Sequence, residues 1–341
     1  MSGAELPFWA LARPLRLGGV ELPNRVALAP MAGVTTSAYR LHVKHRGAGL
    51  VCTEMVSAYG LLYRNRRTED YLQFRDEERP LAVQLFGDEP RALGRATGMV
   101  LQRERRPDVI DINMGCPVRK VVKTGAGAAL LAEPARAAAV AAAVVEAAAD
   151  CGVPVTVKLR SGLDPEREVA VEVARRLEEA GVAGLCVHPR AASQFYRGRA
   201  DHEVTARVVA AVGLPVFASG DITSVSAAAA VMAQTGAAGV MVARAGLGDP
   251  WLMERLVRGE ELPRPGAAEV IQDLRVLLAS VAADMGPQRA ARWIRKQLGW
   301  YLRPLRVPGS TVAELHRLTD AGAVDEALAA LASSTGQWSS H

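Results

Sequence analysis

The stretch Asp111-Ile-Asn-Met-Gly-Cys-Pro-Val-Arg-Lys120 follows a short apolar run and turns sharply at Gly-Cys-Pro. Pro117 cannot donate to a β-ladder, and Gly115 permits backbone angles that other residues avoid. The stretch therefore predicts a buried strand that ends near Asn113 and presents Cys116 in a tight turn. A second glycine-rich segment, residues 124–131, is typical of a loop that opens a helix.

Seven similar apolar, β-branched runs flank this strand, and segments of helical length separate them. Eight alternating strand–helix units predict an α/β fold, a closed (β/α)8 TIM barrel, rather than an open sheet. The expected strands are residues 26–29, 50–53, 81–85, 109–113, 155–159, 184–188, 216–219 and 239–242. The expected helices include residues 135–149, 168–180, 202–212 and 224–235.

Polar or small residues follow every predicted strand, as expected where the functional loops of a barrel lie. In strand order they are Pro30, Met31 and Ala32; Glu54; Gln84; Asn113 and Cys116; Lys158 and Arg160; His188 and Arg190; Ser219, Gly220 and Asp221; Ala243 and Arg244. Phosphate often binds at the seventh and eighth loops of such barrels, on backbone N–H groups. We therefore expect a phosphorylated cofactor across the barrel mouth, with Arg244 as a charged donor.

Composition narrows the class of protein. Four scattered cysteines without a CxxC pair argue against a zinc site or a disulfide framework and favour a reducing compartment. Pro7, Arg13 and Pro14 interrupt the apolar pattern of a signal peptide, and no apolar run is long enough to span a membrane. We therefore expect a cytoplasmic protein with no membrane partner and no metal. The net charge of +5 fits an anionic partner.

The barrel pattern stops at residues 259–265, which contain the linker-like Leu-Pro-Arg-Pro. We therefore predict a barrel domain at residues 1–258 and a helical domain at residues 266–341. In the second, residues 288–302 place cationic side chains at helical spacing beside tryptophans, a pattern that suits a phosphodiester backbone. The cationic candidates are Arg289, Arg292, Arg295, Lys296 and Arg303.

These features together resemble the tRNA-dihydrouridine synthases, flavoenzymes that reduce uridines in tRNA, and the bacterial B-type branch most of all. The resemblance extends from about residue 15 to residue 331. Its motifs are Ala29-Pro-Met-Ala-Gly-Val-Thr, Glu78-Arg-Pro-Leu-Ala-Val-Gln-Leu-Phe-Gly, Asp111-Ile-Asn-Met-Gly-Cys-Pro, Val157-Lys-Leu-Arg-Ser-Gly, Val187-His-Pro-Arg, Gly220-Asp-Ile and Arg295-Lys-Gln-Leu-Gly-Trp-Tyr-Leu.

The resemblance implies FMN-dependent reduction of uridine to 5,6-dihydrouridine in the tRNA D-loop, with NADPH as electron donor and Cys116 as general acid. A neutral thiol suits that role. The implied FMN contacts are Pro30, Met31, Ala32, Gln84, Lys158, His188, Ser219, Gly220, Asp221, Ala243 and Arg244. The implied tRNA contacts are Asn113, Arg190, Arg289, Arg292, Arg295 and Lys296. Ser219 stands where the family usually has asparagine, and Ala243 where it usually has glycine.

Two alternatives remain compatible with the sequence. An FMN barrel oxidoreductase acting on a free pyrimidine, similar to dihydroorotate dehydrogenase, would share the barrel and the cysteine but would not need a cationic helical domain. A catalytically inactive tRNA-binding chaperone would keep that domain but would not need Cys116 and Lys158. We expect tRNA as the partner and a monomeric chain.

Overall fold

The computed structural model describes residues 10–334. The ends of the two predicted domains, residues 1–9 and 335–341, lie outside the described residues, as does Pro7 of the signal-peptide argument. The strands of the described part are β1 (Leu15–Leu17), β2 (Val20–Leu22), β3 (Val26–Leu28), β4 (Val51–Cys52), β5 (Val56–Ser57), β6 (Leu81–Phe86), β7 (Val109–Met114), β8 (Val155–Arg160), β9 (Gly184–His188), β10 (Val216–Ser219) and β11 (Gly239–Val242).

Helices alternate with these strands and then continue alone to the end of the described chain. They are α1 (Ser37–His45), α2 (Ala58–Leu62), α3 (Arg66–Asp70), α4 (Pro90–Leu101), α5 (Arg119–Val122), α6 (Pro134–Ala149), α7 (Ala170–Glu179), α8 (His202–Ala211), α9 (Val225–Thr235), α10 (Leu252–Arg258), α11 (Ala267–Met285), α12 (Pro287–Leu302), α13 (Gly309–Arg317) and α14 (Ala321–Ser334). None of the described helices is both long and apolar enough to cross a bilayer.

Eight parallel strands form the barrel in the order β3-β4-β6-β7-β8-β9-β10-β11. A parallel bridge between Ala27 and Leu50 joins β3 to β4 and closes the ring. The TIM barrel expected from the sequence is confirmed, and each predicted strand end lies within one residue of the observed end. The carboxyl ends of the strands therefore meet at one mouth, where the polar residues were expected.

A short antiparallel hairpin, β1–β2, closes the opposite end of the barrel. Its Leu17 and Leu22 are buried with inward-facing residues of the barrel strands, such as Phe217 and Met241. Leu17 lies against Gly184 at the start of β9, where a Cβ atom would come within 2.9 Å of the leucine. The barrel interior is thus closed at the amino ends of its strands.

The helical region from α11 onward packs against the barrel through one continuous hydrophobic cluster. Asp273 of α11 anchors this contact, because it accepts hydrogen bonds from Arg46, just after α1 (2.6 Å), and from the Tyr301 hydroxyl (3.0 Å). His42 lies 2.9 Å from the same carboxylate. The predicted boundary falls in the coil between α10 and α11, and the division into two domains stays a prediction because both parts share this cluster.

Gly248, between β11 and α10, marks the closest approach of the barrel to α12. Its φ is +71°, in the left-handed region that favours glycine, and a Cβ atom would overlap the carbonyl of Trp300. The side chain of Arg264 donates to the carbonyl of Gly248. Glycine at this position therefore allows the loop after β11 to rest directly on the α12 backbone.

Candidate active site

Cys116 lies at the barrel mouth, half-buried, directly after β7. Its backbone N–H donates to Oδ1 of Asn113 at 2.9 Å, and the N–H of Gly115 donates to the same oxygen at 3.2 Å. Burial raises the pKa of the Cys116 thiol, although the nearby Val118 N–H, Arg160 and Lys158 oppose the shift. The thiol is therefore protonated at neutral pH, as a general acid requires.

The turn around Cys116 differs from the prediction in one respect. Gly115 does not have a positive φ. In the segment that follows it, Gly125 and Gly127 do, at +83° and +62°. Gly115 instead lies close to β8, where a Cβ atom would be 3.4 Å from the carbonyl carbon of Leu159. That distance is an ordinary van der Waals contact, so neither a left-handed backbone nor close packing requires glycine at this position.

A row of polar side chains crosses the barrel interior beneath Cys116. Nδ2 of Asn113 donates to Oε1 of Gln84 (2.8 Å), and Nε2 of Gln84 donates to Oδ2 of Asp111 (2.7 Å). The Thr156 hydroxyl donates to Oδ1 of Asp111 at 2.6 Å. Burial raises the pKa of Asp111 to about 6, against the opposing effects of these two donors and of Lys158. Gln84 is fully buried, and its predicted contact with the flavin stays a prediction.

Lys158 and Arg244 are cations at the mouth whose side chains make no hydrogen bond or ion pair with any residue that the structure describes. Lys158 is half-buried beside Asn113 in the β7–β8 register and makes no hydrogen bond or ion pair with any described residue. Arg244 is exposed, makes no hydrogen bond within residues 10–334, and lies 4.1 Å from the centre of the Tyr196 ring. A half-buried, unpaired ammonium is unfavourable, so the mouth is suited to an anionic ligand.

Burial, assisted by neighbouring cations, keeps His188, at the end of β9, in its neutral form. Burial lowers its pKa to about 2, and Lys158, Arg160, Arg190 and Arg244 add to the shift. Its ring stacks on Tyr196 with 6.3 Å between the ring centres. Nε2 of the neutral imidazole accepts from Arg190 at 3.3 Å, which leaves the Nδ1–H as its donor.

Arg190 is buried and holds the sixth loop in place rather than facing outward. Its guanidinium donates to Asp221 at 2.8 and 2.9 Å and to the carbonyl of Gly198 at 2.7 Å. Burial alone would favour the neutral Asp221 carboxyl, but the Ala200 N–H and Arg190 hold its pKa below the usual value. Roles for Arg190 in substrate binding and for Asp221 in flavin binding stay predictions, since each side chain is engaged within the protein.

The ends of β10 and β11 form a corner of small residues. Gly220 has a φ of +104°, and a Cβ atom there would come within 3.0 Å of the His188 ring. Ser219 is buried at the end of β10. Ala243, where glycine is usual, has a φ of −120° and a ψ of −106°, which is not left-handed but lies outside the main regions that L-residues adopt. Arg244 follows directly, so a cation adjoins this corner.

The first loop, which contains Pro30, Met31 and Ala32, is tied to its neighbours by backbone hydrogen bonds. The N–H of Met31 donates to the Thr35 hydroxyl (3.1 Å), and the N–H of Gly33 donates to Glu54 (2.5 Å). Lys296 of α12 reaches this loop, since a Cβ atom on Gly33 would lie 2.8 Å from its Nζ. The helical region therefore contributes a cation to the rim of the mouth.

Four exposed cations of the helical region form a stripe that we call the cationic stripe. Residues of a helix follow at about 100° intervals, so these four fall within an arc of about 60°. Arg295 lies off the stripe, and its guanidinium points to the carbonyl of Leu318 at 3.4 Å. Trp293 and Trp300 are half-buried and fall within about 40° of Arg289 around the helix. The Trp293 ring lies 6.3 Å from that of Tyr39, and a place for the tryptophans beside bound tRNA stays a prediction. The stripe consists of Arg289, Arg292, Lys296 and Arg303.

The sequence profile described as dihydrouridine synthase (Dus) matches residues 27–334. The chain belongs to the dihydrouridine synthase family. It is 39% identical over 313 residues to tRNA-dihydrouridine synthase B of Pseudomonas aeruginosa, covering 91% of this chain and 93% of that protein. It is 35% identical over 320 residues to a probable tRNA-dihydrouridine synthase of Rickettsia conorii, covering 92% and 95%. The family expected from the sequence is confirmed.

Solved structures agree on the fold of this dihydrouridine synthase. The structure of TcOYE with pHBA matches with a TM-score of 0.58 at 13% identity and covers 81% of this chain and 98% of that one. A morphinone reductase matches with a TM-score of 0.55 at 14% identity, covering 76% and 93%. Identity this low supports the barrel alone.

The mouth of this dihydrouridine synthase brings together most residues that the sequence singled out. Three residues with clear local roles were not among the predicted site residues: Asp111, Thr156 and Arg160. Arg160 donates to the carbonyl of Gly115 (2.9 Å) and to that of Phe195 (2.9 Å), so it joins the Cys116 turn to the sixth loop. A polar residue inside an apolar strand was the available signal for all three. Residues 10–334 contain no cluster of side chains that could hold a metal ion.

Proposed function

We propose that this chain reduces uridine in the D-loop of tRNA to 5,6-dihydrouridine, with FMN as cofactor, NADPH as reductant and Cys116 as proton donor. One observation carries the proposal: a cysteine whose thiol is kept protonated lies at the mouth of a barrel, beside an unpaired lysine. Membership of the dihydrouridine synthase family supports the same reaction. The expected monomeric state and cytoplasmic location are part of this proposal.

The residues at the mouth fit FMN in charge and in shape. Lys158 and Arg244 are cations that lack a partner in the described protein, and FMN supplies a phosphate and an electron-rich ring. The corner at Ser219, Gly220 and Ala243 gives a phosphate access to backbone N–H groups. We therefore assign Arg244 and this corner to the phosphate, and Lys158 and His188 to the ring.

The chain's own residues then account for proton delivery and orientation. A bound FMN supplies the hydride that reduces C6 of the uracil. Cys116 gives its proton to C5, because burial keeps the thiol protonated at neutral pH. Asn113 fixes the Cys116 turn through two backbone N–H groups, so the thiol is held in place before the base arrives.

The cationic stripe is the proposed site for the tRNA backbone. From Arg289 to Arg303 it extends over about 21 Å at 1.5 Å per residue, a length that reaches several phosphates. Its member Lys296 lies against the first loop of the barrel. A tRNA held on the stripe would thus have a loop nucleotide within reach of the mouth, once that base is unstacked.

The test is a reaction of the purified chain with FMN, NADPH and unmodified tRNA, followed by nucleoside mass spectrometry. We expect a gain of about 2 Da in one or more D-loop uridines, since one hydride and one proton are added. Cys116→Ala is expected to keep FMN and tRNA affinity and to lose most uridine reduction. Cys151→Ala, at an exposed cysteine far from the mouth, is the matched control. Reduction of free uracil or orotate with no change in tRNA would refute the proposal.

A further inference from the structure

We propose that Asp111 is a positioning residue whose carboxylate sets the direction of a hydrogen-bonded chain ending on the Cys116 turn. The chain runs from Asp111 through Gln84 to Asn113. The catalytic role of Cys116 rests on the proposed function, whereas the hydrogen bonds that shape the turn at Cys116 are a property of the fold. The proposal therefore has tests that do not depend on uridine reduction.

The chain follows from the register of three neighbouring strands. Asp111 of β7 is the cross-strand partner of Gln84 on β6 and of Thr156 on β8. All three side chains point into the barrel, and Asn113 lies two residues further along β7 on the same side. Asp111 is 4% exposed and Gln84 is fully buried, so water does not compete for these hydrogen bonds.

Both ends of the chain impose the same direction. The carboxylate of Asp111 can only accept, so the amide nitrogen of Gln84 must face it and the amide oxygen must point away. At the other end, the backbone N–H groups of Gly115 and Cys116 can only donate, so Oδ1 of Asn113 must face them. The middle bond, from Nδ2 of Asn113 to Oε1 of Gln84, is then the one arrangement that satisfies both amides.

Among the three hydrogen-bonded side chains, Asp111 is the one that fixes the orientation of the Gln84 and Asn113 amides. Without an acceptor at Asp111, the Gln84 amide can turn over and present its nitrogen to Asn113. Asn113 would then gain by turning its own oxygen toward Gln84, which would leave the N–H groups of Gly115 and Cys116 without an acceptor. The bonds from Arg160 to the Gly115 carbonyl and from the Ala128 N–H to the Cys116 carbonyl would remain, but neither occupies the Gly115 and Cys116 N–H groups.

Two substitutions at Asp111 separate the acceptor from the charge. Asp111→Asn keeps an oxygen toward Gln84, because the new amide nitrogen can donate to the Thr156 hydroxyl, which is able to accept. Asp111→Leu keeps a similar volume but removes the acceptor. Thr156→Val is the matched control, since it removes a half-buried hydroxyl that donates to Asp111 but is not part of the path to Cys116.

Three readouts are needed on flavin-loaded protein whose fold is checked by circular dichroism. The first is kcat and KM for uridine reduction in tRNA. The second is the rate of Cys116 alkylation by iodoacetamide, followed by mass spectrometry of its peptide. The third is hydrogen exchange of the peptide that carries the Gly115 and Cys116 N–H groups. We expect Asp111→Leu to lose about 10²-fold in kcat with little change in KM, because misplacement of a catalytic group by about 1 Å has that effect.

The same variant should show faster exchange at the turn and an altered alkylation rate, while Asp111→Asn and Thr156→Val stay close to the unsubstituted chain in all three. A folded Asp111→Leu protein with unchanged alkylation and exchange would overturn the proposal. So would an Asp111→Asn protein as defective as Asp111→Leu, because charge rather than acceptor position would then be responsible. Asp111→Val, which also lacks an acceptor, replaces the leucine variant if that variant does not fold. If the unsubstituted chain fails to reduce tRNA, the proposed function fails, and alkylation and exchange still decide this inference.

Discussion

Replacing Gly248 with alanine should loosen the contact between the barrel and the helical region. The glycine combines a left-handed φ of +71° with direct contact between its backbone and that of Trp300. A methyl group there would overlap the Trp300 carbonyl, and backbone cannot move aside as a flexible side chain can. The loop that carries Arg244 would have to separate from α12.

The magnitude follows from two separable costs. Alanine in the left-handed region costs about 1–2 kcal/mol, and forcing an extra methyl group into a packed contact costs about 1–3 kcal/mol. Gly248→Ala should therefore lower the free energy of unfolding by about 2–5 kcal/mol. Gly152→Ala is the matched control, because Gly152 also has a positive φ (+62°) but has nothing within 4 Å of its Cβ position. In Gly152→Ala, the free energy of unfolding should fall only by the cost of the left-handed backbone, about 1–2 kcal/mol.

Equilibrium unfolding in urea measures both variants, with tryptophan fluorescence as the probe. Trp251, Trp293 and Trp300 all lie in or beside this contact, so the signal reports on it directly. Affinity for tRNA should fall in Gly248→Ala and not in Gly152→Ala. Equal shifts of the urea midpoint in the two variants would show that backbone angle alone matters and that the close approach to Trp300 does not.

Three further predictions concern charge. Lys158→Met should weaken FMN binding by about 10- to 150-fold, because one charge-assisted hydrogen bond contributes about 1.5–3 kcal/mol. Flavin fluorescence titration measures this affinity. Stability in urea should not fall. Asp273→Asn should destabilise the protein by about 3–5 kcal/mol at pH 7. Burial raises the pKa of Asp273, but His42 and Arg46 outweigh burial and hold that pKa below 3.8. The stability that the Asp273 carboxylate contributes is therefore present above about pH 4 and is lost as the pH falls further. In Asp273→Asn, the plot of unfolding free energy against pH should be flatter in that range. The pKa of His188 is lowered to about 2 in the folded protein, from about 6.5 in the unfolded chain. The free energy of unfolding should therefore fall as the pH drops below about 6.5, and its slope against pH between about 6.5 and 5 should shrink in His188→Gln. An unchanged slope would refute the neutral histidine.

The barrel could be predicted because its strands carry their own signal. Each buried strand is a short β-branched run bounded by turn residues, and the chemistry-bearing residues follow the strands. The hairpin β1–β2 was missed, since strands of three residues show no periodicity that distinguishes them from a loop. The interruption after β4 that forms β5 was missed for the same reason.

Partners of individual side chains could not be predicted, because they are distant in sequence. Asp111 bonds with Gln84, 27 residues earlier, and with Thr156, 45 residues later. The family resemblance implied Arg190 and Arg295 as tRNA contacts, but each guanidinium points toward acceptors within the protein. A motif identifies a residue at a strand end, whereas only the fold decides whether its donors are already used.

The hydrophobic cluster that continues from the barrel into α11 and α12 limits how such enzymes can be recombined. Asp273 on α11 contacts His42 of α1 and Arg46 just after it, so a chimaera that exchanges only residues after 266 would separate Asp273 from both. A functional graft would have to carry α1 and the loop at Gly248 with the helices. Divergence in tRNA preference among relatives should therefore accumulate on the exposed side of α12, where a substitution leaves this shared core intact.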